Sequence, residues 1–213
     1  MLLASNRSMS YLKPKTWFMR MLNIFKRRQC IDIRTQYEQY GVRCFDIRLY
    51  PTKRGIMQFT NGSIEYITFS VYSILNYLNT KGDCYVMLTL DDTDGDVNNT
   101  RAENRFREYC DIIEQIYPFI NFFDGRNRKN GSKLYTFNYE RINGTPTLID
   151  YLNVTPSWSS EDCKLIKFVH RVCPYLYARW FNVVNFVKTI GHGDHVIFFA
   201  DYVNFGMSKG CIK

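Results

Sequence analysis

Asp46 and Arg48 stand two residues apart inside the apolar run Val42–Leu49. On an extended chain that spacing puts a carboxylate and a guanidinium on one face, where they can pair with each other or grip a phosphate. Other apolar runs also close on polar residues. Asn6 follows Leu2–Ser5, Asn61 follows Ile56–Thr60, Asp91 and Asp92 follow Tyr85–Leu90, and Asp201 ends Val196–Asp201. Acid–base chemistry at such ends needs a group that takes and returns a proton near pH 7, which histidine can do and the amides of Asn6 and Asn61 cannot.

The histidines, His170, His192 and His195, stand elsewhere. His192 and His195 lie in Gly191-His192-Gly193-Asp194-His195, which reads as a turn feeding the last strand, and His170 reads as part of an amphipathic helix. Asp91-Asp92-Thr93-Asp94-Gly95-Asp96 is similar to part of a calcium loop but lacks the bidentate Glu at its twelfth position, so it reads as a solvated acidic turn. Seven cysteines, odd in number and without a C-x-x-C pair, suit reduced thiols better than a zinc site or a disulfide framework.

The elements that must position these residues alternate. Candidate strands are Leu2–Ser5, Val42–Leu49, Ile56–Thr60, Tyr85–Leu90, Lys133–Phe137, Pro146–Ile149 and Val196–Asp201. Helical patterns fall at Trp17–Arg28, Ser70–Leu78, Arg101–Ile116, Glu161–Val172 and Phe181–Ile190. Continuous apolar runs alternating with helices predict an α/β fold on a parallel sheet buried on both faces. Closed into a barrel, the strand ends would converge on one mouth, where ligands bind, and His192 and His195 would sit at the opposite end. At 213 residues the chain falls short of the ~250 typical of such barrels, so a compact, irregular barrel in a single domain spanning residues 1–213 is expected.

Three stretches, taken in order, carry a resemblance: Ser5-Asn6-Arg7-Ser8, Gly41-Val42-Arg43-Cys44-Phe45-Asp46-Ile47-Arg48 and Phe59-Thr60-Asn61-Gly62. The chain resembles the phosphatidylinositol-specific phospholipase C family, whose members carry Ser-His-(Asp/Asn)-Ser, Gly-(Val/Ile)-Arg-x-x-Asp-(Ile/Leu)-Arg and His-Gly at those places. The resemblance implies a TIM-type (β/α) barrel of the phospholipase C-like phosphodiesterase kind. It matches Asn6 to the general base and Asn61 to the general acid, with both histidines replaced. It matches Asp46 and Arg48 to the Asp-x-Arg of the metal-independent bacterial branch, which uses no cofactor and no metal. His195 to Tyr202 resembles the family's last strand, so Asp201 matches the aspartate that orients the base.

Arg7 replaces the acid or amide beside the base and adds positive charge. Two arrangements are open for it: pairing with Asp201, or joining Arg48 in binding phosphate. The implied function is a catalytically degenerate phospholipase C-like protein whose mouth binds a phosphate-bearing, phosphoinositide-like ligand or a protein partner. Alternatives are an active phosphodiesterase with an altered mechanism or substrate, and an interaction protein whose pocket is filled by its own side chains.

A formal charge of +8 and a pI near 9.1 favour anionic partners. Helix Trp17–Arg28 alternates aromatics with Arg20, Lys26, Arg27 and Arg28. Its expected role is a barrel helix with its apolar side inward; the other reading lays it on an anionic membrane. Gly125–Lys133 reads as an exposed basic loop, and without a helix-turn-helix, RNP or zinc-finger pattern no specific nucleic-acid binding is expected. No run reaches the ~20 apolar residues of a spanning helix. Met1-Leu2-Leu3-Ala4 lacks the features of a signal peptide, so a cytoplasmic chain is expected, with peripheral membrane association as the variant.

Overall fold

A computed structural model describes residues 2–5, 7–67, 70–91, 100–124, 147–150, 172–173, 175–176, 178–179, 196–200 and 202–204. In chain order the elements are β1 (Leu2–Ser5), α1 (Trp17–Lys26), α2 (Ile33–Tyr40), β2 (Cys44–Pro51), β3 (Met57–Asn61), β4 (Ile64–Glu65), α3 (Val71–Asn79), β5 (Cys84–Leu90), α4 (Thr100–Ile116), β6 (Ile120–Asp124), β7 (Thr147–Asp150) and β8 (Val196–Ala200).

The apolar runs become the parallel strands that the alternation predicts. Their order is β6-β5-β2-β1-β8-β7, every neighbouring pair parallel. Among the described residues no pairing joins β6 to β7, so the strands form an open arc of a barrel. Alternation along β2 divides its side chains. Phe45, Ile47 and Leu49 are fully buried in the apolar core with Leu75 and Leu78 of α3 and Phe106 and Ile113 of α4. Asp46, Arg48 and Tyr50 take the opposite face.

Strand β3 departs from the parallel expectation. β2 pairs with β1 only at Cys44 and Phe45, and its last residues instead fold back on β3 as an antiparallel hairpin, with Leu49 opposite Phe59 and Pro51 opposite Met57. The turn is local chemistry. Thr52 bonds Ile56 and Gly55 through its backbone, its hydroxyl accepts from the Ile56 amide, and Gly55 takes φ +83°, which a side chain would resist. The hairpin brings Asn61 back to the mouth end of β2.

Three elements went unforeseen, among them the two-residue strand β4. Helix α2 is mostly polar and is set by its ends: the Asp32 carboxylate accepts from the Thr35 amide, and Gly41 closes it at φ 71°. Strand β6 follows α4 after a break at Tyr117-Pro118. The expected strand Lys133–Phe137 and helices Glu161–Val172 and Phe181–Ile190 lie essentially outside the described residues.

Candidate functional site

The mouth is built around Asp46, fully buried on β2. Its Oδ2 accepts from the backbone amide of Arg7 at 3.1 Å and faces the Arg48 guanidinium at 3.4 Å. Arg7 reaches this position in the left-handed region, φ 46°, a conformation that costs a non-glycine residue about 1–2 kcal/mol. The surrounding bonds impose it. The Ser8 amide donates to the Asp46 carbonyl, the Ser10 amide to the Arg7 carbonyl, and the hydroxyls of Ser5 and Ser8 share a buried hydrogen bond.

Asn61, at the end of β3, is 1% exposed. Its Oδ1 accepts from Arg7 Nη1 at 2.5 Å, and its Nδ2 donates to the Lys26 carbonyl at the end of α1, 2.8 Å away. Arginine only donates and a carbonyl only accepts, so the amide has one orientation here and both of its ends are engaged. Beside it, burial pushes the Tyr66 phenol up to about 12, so Tyr66 stays protonated and supplies no base at neutral pH.

Arg48, one-fifth exposed, stands between two carboxylates, with Nη1 at 3.9 Å from Asp91. Asp91 is also held by the Thr60 hydroxyl and the Gly62 amide, which fixes the β3–β4 turn onto the end of β5. That accounts for Asp91 structurally; the rest of the acidic run, 92–96, lies outside the described residues.

Sequence reasoning missed the linker after α1. The side chain of Gln29, fully buried, donates to the Ala200 carbonyl at 2.9 Å and accepts from the Val203 amide at 3.1 Å. Ser10 Oγ takes both the Arg28 and Gln29 amides, and the Tyr202 amide donates to the Arg28 carbonyl. The linker is thereby stitched across the ends of β1 and β8. A lone Gln between Arg28 and Cys30 carries no periodic signal, so only the fold exposes its role.

Arg7, Asp46, Arg48 and Asn61 therefore do converge, as their positions at strand ends predicted. Asn6, Asp201 and the three histidines lie outside the described residues, as do the loop 125–133 and the pairing of Arg7 with Asp201. Neither of the two cavities described below Tyr50 and around the hairpin is lined by Arg7, Asp46, Arg48 or Asn61.

Helix α1 overturns one expectation. Most of its apolar residues do not pack inward: Trp17 is 71% exposed, and Phe18, Met21, Ile24 and Phe25 are exposed with it. The side packed on the barrel carries Asn23, buried, with Met19 and Leu22 partly covered. Asn23 accepts from the Tyr66 hydroxyl, and its backbone carbonyl takes the Arg27 amide. Spacing alone showed a two-sided helix but not which side the barrel would take, and a polar anchor took the inner place.

No family model and no curated protein sequence matches the chain. Among solved structures, the N254Y/H258Y double mutant of the phosphatidylinositol-specific phospholipase C from Staphylococcus aureus superposes with a TM-score of 0.59 at 17% identity, covering 94% of this chain and 84% of that one. Its H258Y mutant gives 0.60 at 16% identity with the same coverage. The fold is that of a phosphatidylinositol-specific phospholipase C. On this phospholipase C fold, Arg48 and Asn61 hold the interlocked geometry described above. At such identity the likeness extends to the fold alone.

Proposed function

We propose that this chain is a phospholipase C-like protein without acid–base turnover, which works by attaching to anionic membrane surfaces. The observation that carries the first half is Asn61. The position matched to the general acid holds an amide buried at 1% exposure with both ends committed, to Arg7 and to the Lys26 carbonyl. Losing one general acid–base group typically forfeits 10²–10⁴ in rate, and both positions that the resemblance matches to histidines hold asparagine.

Support for the second half is the outward face of α1. Trp17, Phe18, Met21, Ile24 and Phe25 form an exposed apolar stripe, the helix contains no acid, and Lys13, Lys15, Arg20, Lys26 and Arg27 surround it. An apolar stripe bordered by cations suits an interface with anionic lipid. Membrane binding is a property of the S. aureus phosphatidylinositol-specific phospholipase C. Among the described residues no helix is long and apolar enough to cross a bilayer, so the contact would be peripheral.

The test has two arms. In the first, native chain and Arg48→Ala are assayed with phosphatidylinositol and a chromogenic inositol phosphodiester; both are expected at background. Native turnover that disappears in Arg48→Ala would refute the non-catalytic reading. In the second, the chain is sedimented with phosphatidylcholine vesicles, with and without phosphatidylserine. Binding only to the anionic vesicles, weakening as salt rises, is expected. Equal indifference to both vesicle types would end the membrane reading.

A further inference from the structure

A cavity of about 520 Å³ lies beside the mouth, between the β2–β3 hairpin and the first turns of α4. Tyr50, Gln58 and Thr60 line it from the hairpin, Lys53 from the turn, and Arg101 and Arg105 from α4. The two arginines are four residues apart and so share one helix face. Among the described residues, Lys53, Arg101 and Arg105 have no carboxylate partner. The acid in the wall, Glu65, is already neutralised by Lys15 at 2.6 Å. Arg107, one turn farther along, is paired with Glu103, so the helix satisfies the arginine that points elsewhere. Arg105 is partly buried, its guanidinium lying against the turn, where a Cβ on Gly55 would stand 3.4 Å from Nη1.

The cavity continues the mouth. Arg48 and Tyr50 occupy the same face of β2, one two-residue repeat apart, or roughly 7 Å. Thr60 belongs to both regions: it lines the cavity, and its hydroxyl bonds the Asp91 carboxylate that Arg48 approaches. Within the mouth, Arg48 faces two carboxylates, Asp46 and Asp91, which offset its charge toward an incoming anion. One step outward, the one carboxylate of the wall among the described residues, Glu65, is taken by Lys15.

We propose that Lys53, Arg101 and Arg105, with the hydroxyl and amide groups of Tyr50 and Gln58, form a binding site for a phosphate ester of headgroup size. Guanidinium pairs bind phosphate oxygens through parallel N–H donors, and a cavity of this volume suits a small polar molecule. Helix α1 contributes no residue to the wall, so the site stands independently of the membrane-docking reading.

The experiment titrates the whole chain with inositol 1-phosphate and inorganic phosphate by calorimetry, and separately with phosphatidylcholine vesicles containing phosphatidylinositol. Arg101→Gln/Arg105→Gln is expected to weaken binding at least tenfold. Arg34→Gln/Arg107→Gln removes equal charge from α2 and from the paired arginine of α4, and is expected to change it less than twofold. Binding of the soluble esters with this pattern assigns the site to free phosphate esters. The pattern on vesicles alone assigns it to lipid headgroups. Loss in both double variants to the same extent would reduce the effect to net charge and overturn the proposal. So would loss in Arg48→Gln with full binding in Arg101→Gln/Arg105→Gln, which would return the anion to the mouth. No binding of any probe also overturns it.

Discussion

The mouth and helix α1 invert the ordinary partition of a globular protein. At the mouth, Asp46, Asn61 and Gln29 are buried polar groups, each bonded to other parts of the chain. On α1, aromatic and aliphatic side chains face outward while an asparagine faces in. Buried polar groups cost stability unless partnered, and an exposed apolar stripe gains nothing from folding. The mouth thus contributes to the fold, whereas the stripe does not. Polar residues at the strand ends act here as struts.

That contrast can be broken by substitution. Its largest expected effect is at Asn61. Asn61→Ala leaves the Arg7 guanidinium and the Lys26 carbonyl without their amide, and should cost about 3 kcal/mol in urea unfolding. A change below about 0.5 kcal/mol would mean that the mouth is not a strut. Next comes Gln29→Ala, which frees the Ala200 carbonyl and Val203 amide and should cost about 2 kcal/mol in the same measurement.

The stripe should behave the other way. Trp17→Ser/Phe25→Ser is expected to leave the urea midpoint within the shift of about 0.5 kcal/mol typical of surface changes. Its affinity for anionic vesicles should fall about tenfold, the effect of removing roughly 1.4 kcal/mol of apolar burial. A large loss of stability instead would show that the stripe packs within the fold.

The smallest effect calibrates the others. Asp32→Ala removes the cap of α2 and should cost about 1 kcal/mol at pH 7, read from thermal unfolding. Burial acts on Asp32 to raise its pKa, but bonds from the Thr35 amide and hydroxyl outweigh it and hold the carboxyl below its ordinary value. A lowered folded pKa gives stability that is present above the unfolded value, near 4, and lost as pH falls through the lowered one. The gap between native and variant should therefore stay level from pH 7 to about 4 and narrow below that.

Much of the scaffold was legible from residue order. Runs such as Leu2–Ser5 and Tyr85–Leu90 became buried parallel strands because apolar continuity over a few residues suits a strand covered on both faces. Helix α2 escaped because only Ile33 and Gln36 of its residues are buried, which leaves no periodic stripe to see. Strand β4 is two residues long, too short for any pattern. Strand β3 was foreseen but not its direction, which the Thr52-Lys53-Arg54-Gly55 turn decides. At the site, Asp46, Arg48 and Asn61 could be found because strand ends of this fold class converge. What Asn61 touches could not, since the Lys26 carbonyl is backbone and carries no residue signature.

The contact between Arg7 and Asn61 bears on how such a protein changes over generations. A histidine at position 61 would inherit the Arg7 guanidinium at hydrogen-bond range, and a neighbouring positive charge disfavours the imidazolium that a general acid requires. A histidine at that one position would therefore be held toward its neutral form, and one at position 6 as well would not remove the arginine. The Arg7–Asn61 bond acts as a latch on that position: a single exchange there changes the side chain while the neighbouring guanidinium still works against the protonated ring that acid catalysis needs.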